Sequence, residues 1–426
     1  MEKSTFGIFF ALIMTASTIF AQQAENGTQK VDEYKSSAVI KAYRTNMKSK
    51  NYARAKQEID GAIKKYPEAA VDAQLYKYKM DALNALIVAE NRKIYLNSKP
   101  DTVTYFNYVY ELYTTGLACD SIEQALVRER QAMGKKAKPR IRYTIVQPML
   151  SYRKNVLNAG KYHYKKKDYA KAYQFLDLYA QTKTAPVFTD KDGRSLLTDP
   201  DDMREVASLA TLSAYASGNH QGVMNYLEQS LAVEHLKPQL LELGSKSAAQ
   251  LQDTTRMLVL LETGFISYPD VEYFFMTLIK HYNEQKDYHH ALQKIMTMVE
   301  LYPEKRDYWY MAGTEQMLLA QYNEALVSFR KCIELQADDA QAYSAIGNIY
   351  LHDAQAAYAH FDTPISHPDY AQHKQGIDYL YQQACTAFEH ARQFDENNQN
   401  LWLSGLREAY FKLNRGRELR ALEKYK

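Results

Sequence analysis

Apolar side chains recur along most of this chain at the three- and four-residue spacing of an α-helix, and the helical stretches recur in pairs. Trp309 and Gly313 lie on one face of a predicted helix, and Ala325 and Phe329 lie on the apolar face of the helix that follows. The pattern predicts a helix–turn–helix unit in which small residues let two helices approach and large residues fill the grooves between them.

This unit has a period of 34 residues. One step back from Trp309 reaches Phe275 and one step forward reaches Tyr343, while two further backward steps reach Leu241 and Ala207. A fixed period of about 20 to 50 residues is typical of stacked repeat proteins. The residues predicted to pack the repeats are Gly160, Ala172, Leu278, Ala291, Trp309, Gly313, Ala325, Phe329, Tyr343 and Gly347.

At these residues the chain resembles the tetratricopeptide repeat family, in an exported bacterial form. The resemblance implies an all-α fold, a right-handed superhelical solenoid of helix–turn–helix repeats. It is strongest from about residue 204 to 350, where Pro303 keeps the family's closing proline and Ala337 replaces it in the next unit. In the family, the first helix of each repeat lines a concave face that holds a protein partner, so the resemblance implies a non-enzymatic scaffold.

Changes in the repeat spacing divide the chain into regions. We expect a degenerate N-terminal repeat region at 22–135, a tetratricopeptide array at 144–396 and capping helices at 397–426. The array is expected to contain insertions at about 180–205 and 354–378, which we interpret as loops.

A strongly basic segment separates the two predicted repeat regions. From Arg128 to Arg142 the sequence holds seven basic residues and one acid around Pro139. We interpret this segment as a connection between two arrays.

Residues 1–21 are predicted to be a secretory signal peptide. The apolar stretch from Phe6 to Met14 is shorter than the roughly 20 residues that span a bilayer, and it leads to a small residue, Ala21. We therefore expect cleavage after about Ala21, a mature chain without a transmembrane span, and a periplasmic or outer-surface location.

The charge balance gives no reason to expect nucleic acid as a partner, since 53 Lys and Arg face 50 Asp and Glu. The run from Lys161 to Lys167 mixes bases with aromatic residues, as single-strand binders do. Its buried positions are expected at Gly160 and His163, so we interpret the lysines as a solvated face and expect no nucleic-acid partner.

The sequence contains no motif that predicts catalysis or a cofactor. The three cysteines, Cys119, Cys332 and Cys385, are too few for a disulfide framework and are expected in the core, with a Cys332–Cys385 bridge as the alternative. From His352 to His373 there are four His and three Asp, but their spacing fits no familiar ligand pattern. We expect a solvated loop there and leave metal binding as the alternative.

The predicted partner-binding face follows from the position five residues after each repeat anchor, which the resemblance places on the concave side. Four of the seven residues there are basic, which suggests a groove for an acidic or carboxylate-ended peptide. The alternative is unrelated lysines on exposed helix faces. The seven residues are Arg44, Lys161, Leu212, Lys246, Lys280, Thr314 and Asn348, and we select all except Leu212 and Thr314 as the partner-binding candidates.

Tyrosine is unusually abundant, with 36 residues, and many of these occupy packing or turn positions of the repeats. Two clusters do not, and they support a rival hypothesis, an exported glycan- or small-ligand-binding protein with tyrosine platforms. Our main prediction is an envelope scaffold that binds a partner protein, and its oligomeric state is left open. The two clusters are Tyr105, Tyr108, Tyr110 and Tyr113, and Tyr358, Tyr370, Tyr379 and Tyr381.

Overall fold

The computed structural model describes residues 34–96, 98–198, 202–361 and 364–425. The expected signal peptide, residues 1–21, lies outside these ranges, and so does Asp362 of the histidine-rich insertion. The described residues fall into two compact units that meet in the sequence between Gln252 and Asp253.

Unit 1 is built from ten α-helices within its described residues. Each long helix packs against the next one along the chain. The helices are α1 Ser36–Lys48, α2 Tyr52–Lys65, α3 Pro67–Ala70, α4 Ala73–Tyr95, α5 Thr102–Ala132, α6 Arg142–Lys165, α7 Tyr169–Gln181, α8 Met203–Ala216, α9 His220–Ser230 and α10 Lys237–Gln250.

Unit 2 contains nine α-helices within its described residues. They are α11 Thr254–Ser267, α12 Glu272–Glu284, α13 Tyr288–Leu301, α14 Arg306–Leu318, α15 Tyr322–Leu335, α16 Ala340–Ala359, α17 Tyr370–Phe394, α18 Leu403–Lys412 and α19 Gly416–Ala421. The all-α prediction is confirmed, because the one strand-like contact in the described chain is an isolated bridge between Thr189 and Ser195. We call α1, α4, α6, α8, α10, α12, α14, α16 and α18 the first helices, and the long helix after each is a second helix.

A single turn design ends most first helices. The last residue of the turn has a positive φ, and the next residue begins the following helix as its N-cap. Asp287 shows the arrangement, since its carboxylate accepts a hydrogen bond from the backbone N–H of His290, 3.3 Å away. The positive-φ residues are Lys50, Lys167, Gly218, Gln252, Lys286, Ala320 and Asn414. This turn marks the repeat register even where the apolar pattern is weak.

Close helix crossings rely on glycine next to a large side chain. A Cβ atom on Gly313 would lie 2.7 Å from the ring of Phe329, so only glycine permits this crossing. Phe388 of α17 lies between two glycines, Gly347 of α16 and Gly405 of α18. Large rings therefore fill space that the neighbouring helix leaves by having no side chain.

The ten residues predicted to pack the repeats lie on these helices as follows. Trp309 and Tyr343 are half-buried, and the indole N–H of Trp309 donates to the carbonyl of Pro303 at 2.8 Å. The other eight are buried: Gly160, Ala172, Leu278, Ala291, Gly313, Ala325, Phe329 and Gly347.

The pair α4–α5 differs from the other pairs in length and in the way it is held. These helices have 23 and 31 residues, against 13 and 14 for α12 and α13. Lys56 and Lys79 each bind both Asp60 and Glu111, at 2.6 to 2.8 Å, in a closed ring of four charges. Burial acts to raise the pKa of Asp60, but hydrogen bonds from the two ammonium groups outweigh it and hold that pKa below its usual value.

Two acids at the end of α5 fix the start of α6. The carboxylate of Glu123 accepts hydrogen bonds from the backbone N–H groups of Arg140, Ile141 and Arg142, at 2.7, 2.7 and 2.8 Å. Asp120 binds the guanidinium of Arg142 with both oxygens, at 2.5 and 2.8 Å. Buried carboxylates thus take the role that a local N-cap takes elsewhere in the chain.

The two predicted insertions have different structures. The first contains two short 3₁₀ turns, and Phe188 within it is buried beside Arg153, whose guanidinium also stacks on Tyr179 at 4.1 Å. The second differs from the expected loop, because α16 continues to Ala359 and α17 already begins at Tyr370. Buried residues such as Ala354 and Ile377 extend the apolar faces of both helices and keep them paired.

Candidate partner-binding face

Neighbouring first helices contact one another in each unit and form a continuous layer. In unit 2 the amide of Asn283 in α12 donates to Glu315 in α14 at 2.7 Å. Arg306 in α14 reaches Gln341 in α16 at 3.2 Å. Gln355 further along α16 donates to Glu408 in α18 at 2.8 Å. A partner laid across this layer would therefore meet four helices in succession.

The predicted position on this layer is six residues before the positive-φ turn residue. In unit 2 it is occupied by Lys280 and Thr314, which precede Lys286 and Ala320, and by Asn348 in α16. All three side chains are exposed, whereas the residue before each one is buried. The three positions therefore form an outward-facing row, one from each helix.

The same turn reveals a residue that the sequence reading missed. Asn414 has a φ of +53°, and the residue six positions before it is Glu408. The stretched α16–α17 pair breaks the 34-residue count, so the period alone does not reach α18. The Asn-Arg-Gly sequence at 414–416 is the signal that identifies this turn.

The exposed layer of unit 2 is of mixed character rather than basic. Lys280 lies 3.9 Å from Glu284 on its own helix. Exposed apolar side chains accompany it, with Met276 at 43%, Leu318 at 53% and Phe411 at 66% exposure. This layer therefore presents apolar and amide groups beside balanced charges.

In unit 1 the predicted bases have different surroundings. Lys246 binds Glu242 on its own helix at 2.5 Å, and Arg44 lies 3.5 Å from the hydroxyl of Tyr78 on α4. Lys161 on α6 is half-buried, and α6 contains no Asp or Glu over its 24 residues. Lys154 and Lys165 lie on the same face as Lys161, seven residues before it and four after it, and both are exposed. The basic character that the sequence predicted is concentrated on α6.

A buried acid lies within the layer of unit 2. Glu315 is only 4% exposed, and its second oxygen, like the amide oxygen of Asn283, has no hydrogen-bond partner among the described residues. Burial raises the pKa of Glu315 and outweighs the hydrogen bond from Asn283, which acts to lower it. Glu315 is therefore a sensitive point of the α12–α14 contact.

The cysteines and histidines have structural surroundings. All three thiols are free and buried, and burial raises the pKa of each to about 12, so they are protonated at neutral pH. Cys332 and Cys385 do not pair with each other. Among the described residues, no three His, Cys, Asp or Glu side chains are arranged to hold a metal ion.

Of the two unexplained tyrosine clusters, the first belongs to the core of unit 1. Tyr105 and Tyr113 are buried, and Tyr110 packs edge-on against Phe175 at 5.2 Å. In the second cluster Tyr381 is buried, whereas Tyr358 and Tyr379 are exposed at 51% and 60%. The ammonium of Lys412 already lies 3.8 Å from the ring centre of Tyr358. Neither cluster presents a row of open rings to a ligand.

No described helix combines the length and the apolar composition needed to cross a membrane. No family model matches the chain, and no curated protein matches it either. Solved structures that resemble it are repeat proteins of low identity, and they are similar in fold alone.

Three of these structures illustrate the range. MamA has 13% identity and a TM-score of 0.31, with 45% of this chain and 96% of that chain covered. A TPR repeats protein from Bacteroides fragilis has 11% identity and a TM-score of 0.29, with 60% and 97% covered. The TPR2AB domain of yeast Sti1, in a complex with pHSP90, has 12% identity and a TM-score of 0.24, with 62% and 99% covered.

Similarity of this size leaves the repeat type to be decided by the chain's own geometry. The 34-residue spacing of Lys280, Thr314 and Asn348, the recurring positive-φ turn and the glycine crossings all describe one kind of unit. The protein is built from tetratricopeptide-type helical repeats.

Proposed function

We propose that this protein is a non-enzymatic scaffold that binds a partner protein or peptide on its layer of first helices. The observation that carries the proposal is the outward-facing row in unit 2, with Lys280, Thr314 and Asn348 exposed on three adjacent helices. A row with one side chain for each repeat presents evenly spaced contacts to an elongated partner. The buried thiols and the absence of catalytic motifs in the sequence agree with a binding role.

The chemistry of the partner differs between the two units. In unit 1, Lys154, Lys161 and Lys165 of α6 favour a segment with carboxylates, since no acid on that helix competes for them. In unit 2, Met276, Leu318 and Phe411 favour apolar side chains, while Asn348 and Thr314 offer hydrogen bonds. We propose an acidic or carboxylate-ended segment for unit 1, and the basic groove predicted over both units is thereby narrowed to α6.

The proposed setting is the bacterial envelope, with the protein periplasmic or surface-associated. This part of the proposal rests on the apolar start of the sequence and its small residue at Ala21. Edman sequencing of protein recovered from the native envelope tests it. A first residue close to Gln22 supports export, and recovery of an intact Met1 in the cytosolic fraction contradicts it.

The binding face is tested with photo-cross-linking side chains placed one at a time in the full chain. Thr314 and Asn348 on first helices are the test positions, and Gln293 and Val327, equally exposed on second helices, are the matched controls. We expect cross-links to one partner from the first pair of positions and none from the second. Cross-links of equal yield from both pairs contradict the proposed face.

A charge-reversal variant tests the partner chemistry separately. Lys161→Glu combined with Lys154→Glu is expected to weaken capture of the partner at least tenfold, whereas Lys280→Glu has a smaller effect because Glu284 already lies beside it. Unchanged capture at moderate salt by the α6 variant contradicts the acidic-segment proposal but leaves the cross-linking result standing.

A further inference from the structure

The end of α5 and the connection to α6 form a strongly basic surface that neither the repeat packing nor the proposed partner face uses. We call residues 126–143 the basic connection. Its only acid besides the six exposed bases is Glu129. The salt bridges of the described chain join Arg142 to Asp120 but include none of these six bases. The six are Arg128, Arg130, Lys135, Lys136, Lys138 and Arg140.

This segment is held in a defined conformation by its backbone. Gly134 has a φ of +74°, and the N–H of Lys135 donates to the carbonyl of Arg130 at 2.9 Å, which closes the end of α5. The amide of Gln131 donates to the carbonyl of Ala137 at 2.9 Å. At the far end, Glu123 accepts the three backbone N–H groups at the start of α6. The bases therefore project from a structured turn.

Part of this positive charge has a local explanation. Arg128 and Arg130 lie in the last turn of α5, where cations are favoured by the negative end of the helix dipole. That explanation does not extend to Lys135, Lys136, Lys138 and Arg140, which follow the helix. Like charges concentrated in so short a segment repel one another unless an anionic partner neutralises them.

Apolar side chains are exposed among the bases. Met133, at the end of α5, is 62% exposed, Leu126 is 38% exposed and Tyr143 is 39% exposed. A surface that mixes Lys and Arg with exposed apolar and aromatic side chains suits the interface of an anionic bilayer, where bases meet phosphates and apolar groups enter the headgroup region. A nucleic acid would use the bases but would gain little from Met133 or Leu126.

We propose that the basic connection docks this protein onto a membrane surface rich in anionic phospholipid. The six bases supply electrostatic attraction to the phosphates, and Met133 and Leu126 insert at the level of the headgroups. Docking of this kind is reversible and needs no membrane-spanning helix. It would hold unit 1 at a bilayer while the first-helix layer carries the partner.

The test is flotation of the purified full chain with vesicles of phosphatidylcholine alone and of phosphatidylcholine with 30% phosphatidylglycerol. We expect binding to the anionic vesicles at 0.1 M salt and release at 0.5 M. Lys135→Glu/Lys136→Glu/Lys138→Glu should weaken the partitioning at least tenfold, because each base near an anionic surface contributes roughly fivefold.

Matched controls use the same chain. Lys165→Glu/Lys166→Glu/Lys167→Glu changes the net charge by the same amount at another exposed run of three lysines and should leave the partitioning within about twofold. Met133→Ser should weaken binding several-fold, whereas Leu251→Ser, at a residue 41% exposed, should not. Circular dichroism of each variant confirms that its helices are intact.

Several results overturn the proposal. Equal binding to neutral and anionic vesicles does so, as does an equal loss with both triple-lysine variants. Competition by a double-stranded DNA 20-mer at equal phosphate concentration, with no effect of Met133→Ser, shows a general polyanion site instead of a membrane surface. These results leave the cross-linking test of the partner face unaffected, since that test uses residues of unit 2.

Discussion

The strict repeats of unit 2 and the long pair α4–α5 of unit 1 solve the same packing problem by different means. In α12 to α15 the helices have 13 or 14 residues, and close crossings depend on a glycine beside an aromatic ring, as Gly313 and Phe329 show. In α4 and α5 the helices have 23 and 31 residues, and buried or half-buried charges such as Glu123 and Glu111 join them to their neighbours.

The difference shows how geometry constrains sequence. A crossing without room for a Cβ atom requires a small residue at one position in every repeat, so the requirement appears as a period. A carboxylate that accepts backbone N–H groups from another helix imposes no such spacing. The four predictions below test this comparison, beginning with the largest expected effect.

Gly264→Ala should be the most damaging small substitution in the strict repeats. The added Cβ atom would lie 2.6 Å from Cζ of Phe274, which is fully buried and has no space to move into. We expect a loss of about 2 to 3 kcal/mol in the free energy of unfolding, measured by urea titration. Gly61→Ala in α2 is the control, because nothing lies within 4 Å and the helix should gain about 0.5 to 1 kcal/mol. Equal effects of the two substitutions would contradict the crossing argument.

Glu123→Gln tests the polar solution used by the long pair. The substitution replaces one of two accepting oxygens by a donor that faces the backbone N–H groups of α6. We expect a loss of about 2 kcal/mol, since hydrogen bonds to a charged group are the strong ones. Glu129→Gln, on the exposed side of the same helix, should change stability by less than about 0.5 kcal/mol. A loss no larger than that of the control would mean that α6 does not need the carboxylate.

Glu315 is the exception in the strict repeats, a buried acid where the other contacts are apolar. Because its folded-state pKa is raised by burial, folding is favoured while the group is protonated, and that stability is lost as the pH rises through the folded-state pKa. Glu315→Gln should therefore be more stable than the natural chain by about 1 kcal/mol at pH 8, with the difference vanishing near pH 4. Urea titrations at both pH values measure it, and a difference independent of pH would contradict the assignment.

Ala320→Gly and Gly218→Ala form a reciprocal pair at the recurring turn. Ala320 has a φ of +57° and Gly218 a φ of +74°, in the left-handed region that disfavours a side chain. Glycine at 320 should stabilise the chain by about 0.5 to 1 kcal/mol, and alanine at 218 should destabilise it by a similar amount. Thermal unfolding of the two variants checks both signs, and shifts in the same direction would refute the shared turn.

Much of the repeat fold could be predicted because its packing imposes residue types at fixed spacing. Phe275, Trp309 and Tyr343 begin equivalent helices 34 residues apart, and α12, α14 and α16 contain them. The extension of α16 and α17 escaped prediction because Pro364, Pro368 and several histidines suggested a loop. Buried residues on one face, Ala354 and Ile377 among them, decided the outcome instead.

The candidate face was predictable only in part, for the same physical reason. A position within a repeat predicts on which side of a helix Lys246 or Lys280 lies, but it does not predict that Glu242 and Glu284 lie within reach of them. Likewise, the register of Glu408 follows from the turn at Asn414 and not from the period.

By itself, the sequence determined the helical class, the period and the residues that allow close crossings, since these depend on side-chain size and local spacing. The tertiary structure alone decided where the charges matter. It brought Glu123 to the start of α6, paired the bases of the first-helix layer with acids, and left those of the basic connection without counter-charges among the described residues. Electrostatic roles depend on distances between residues far apart in the chain, and no local pattern records those distances.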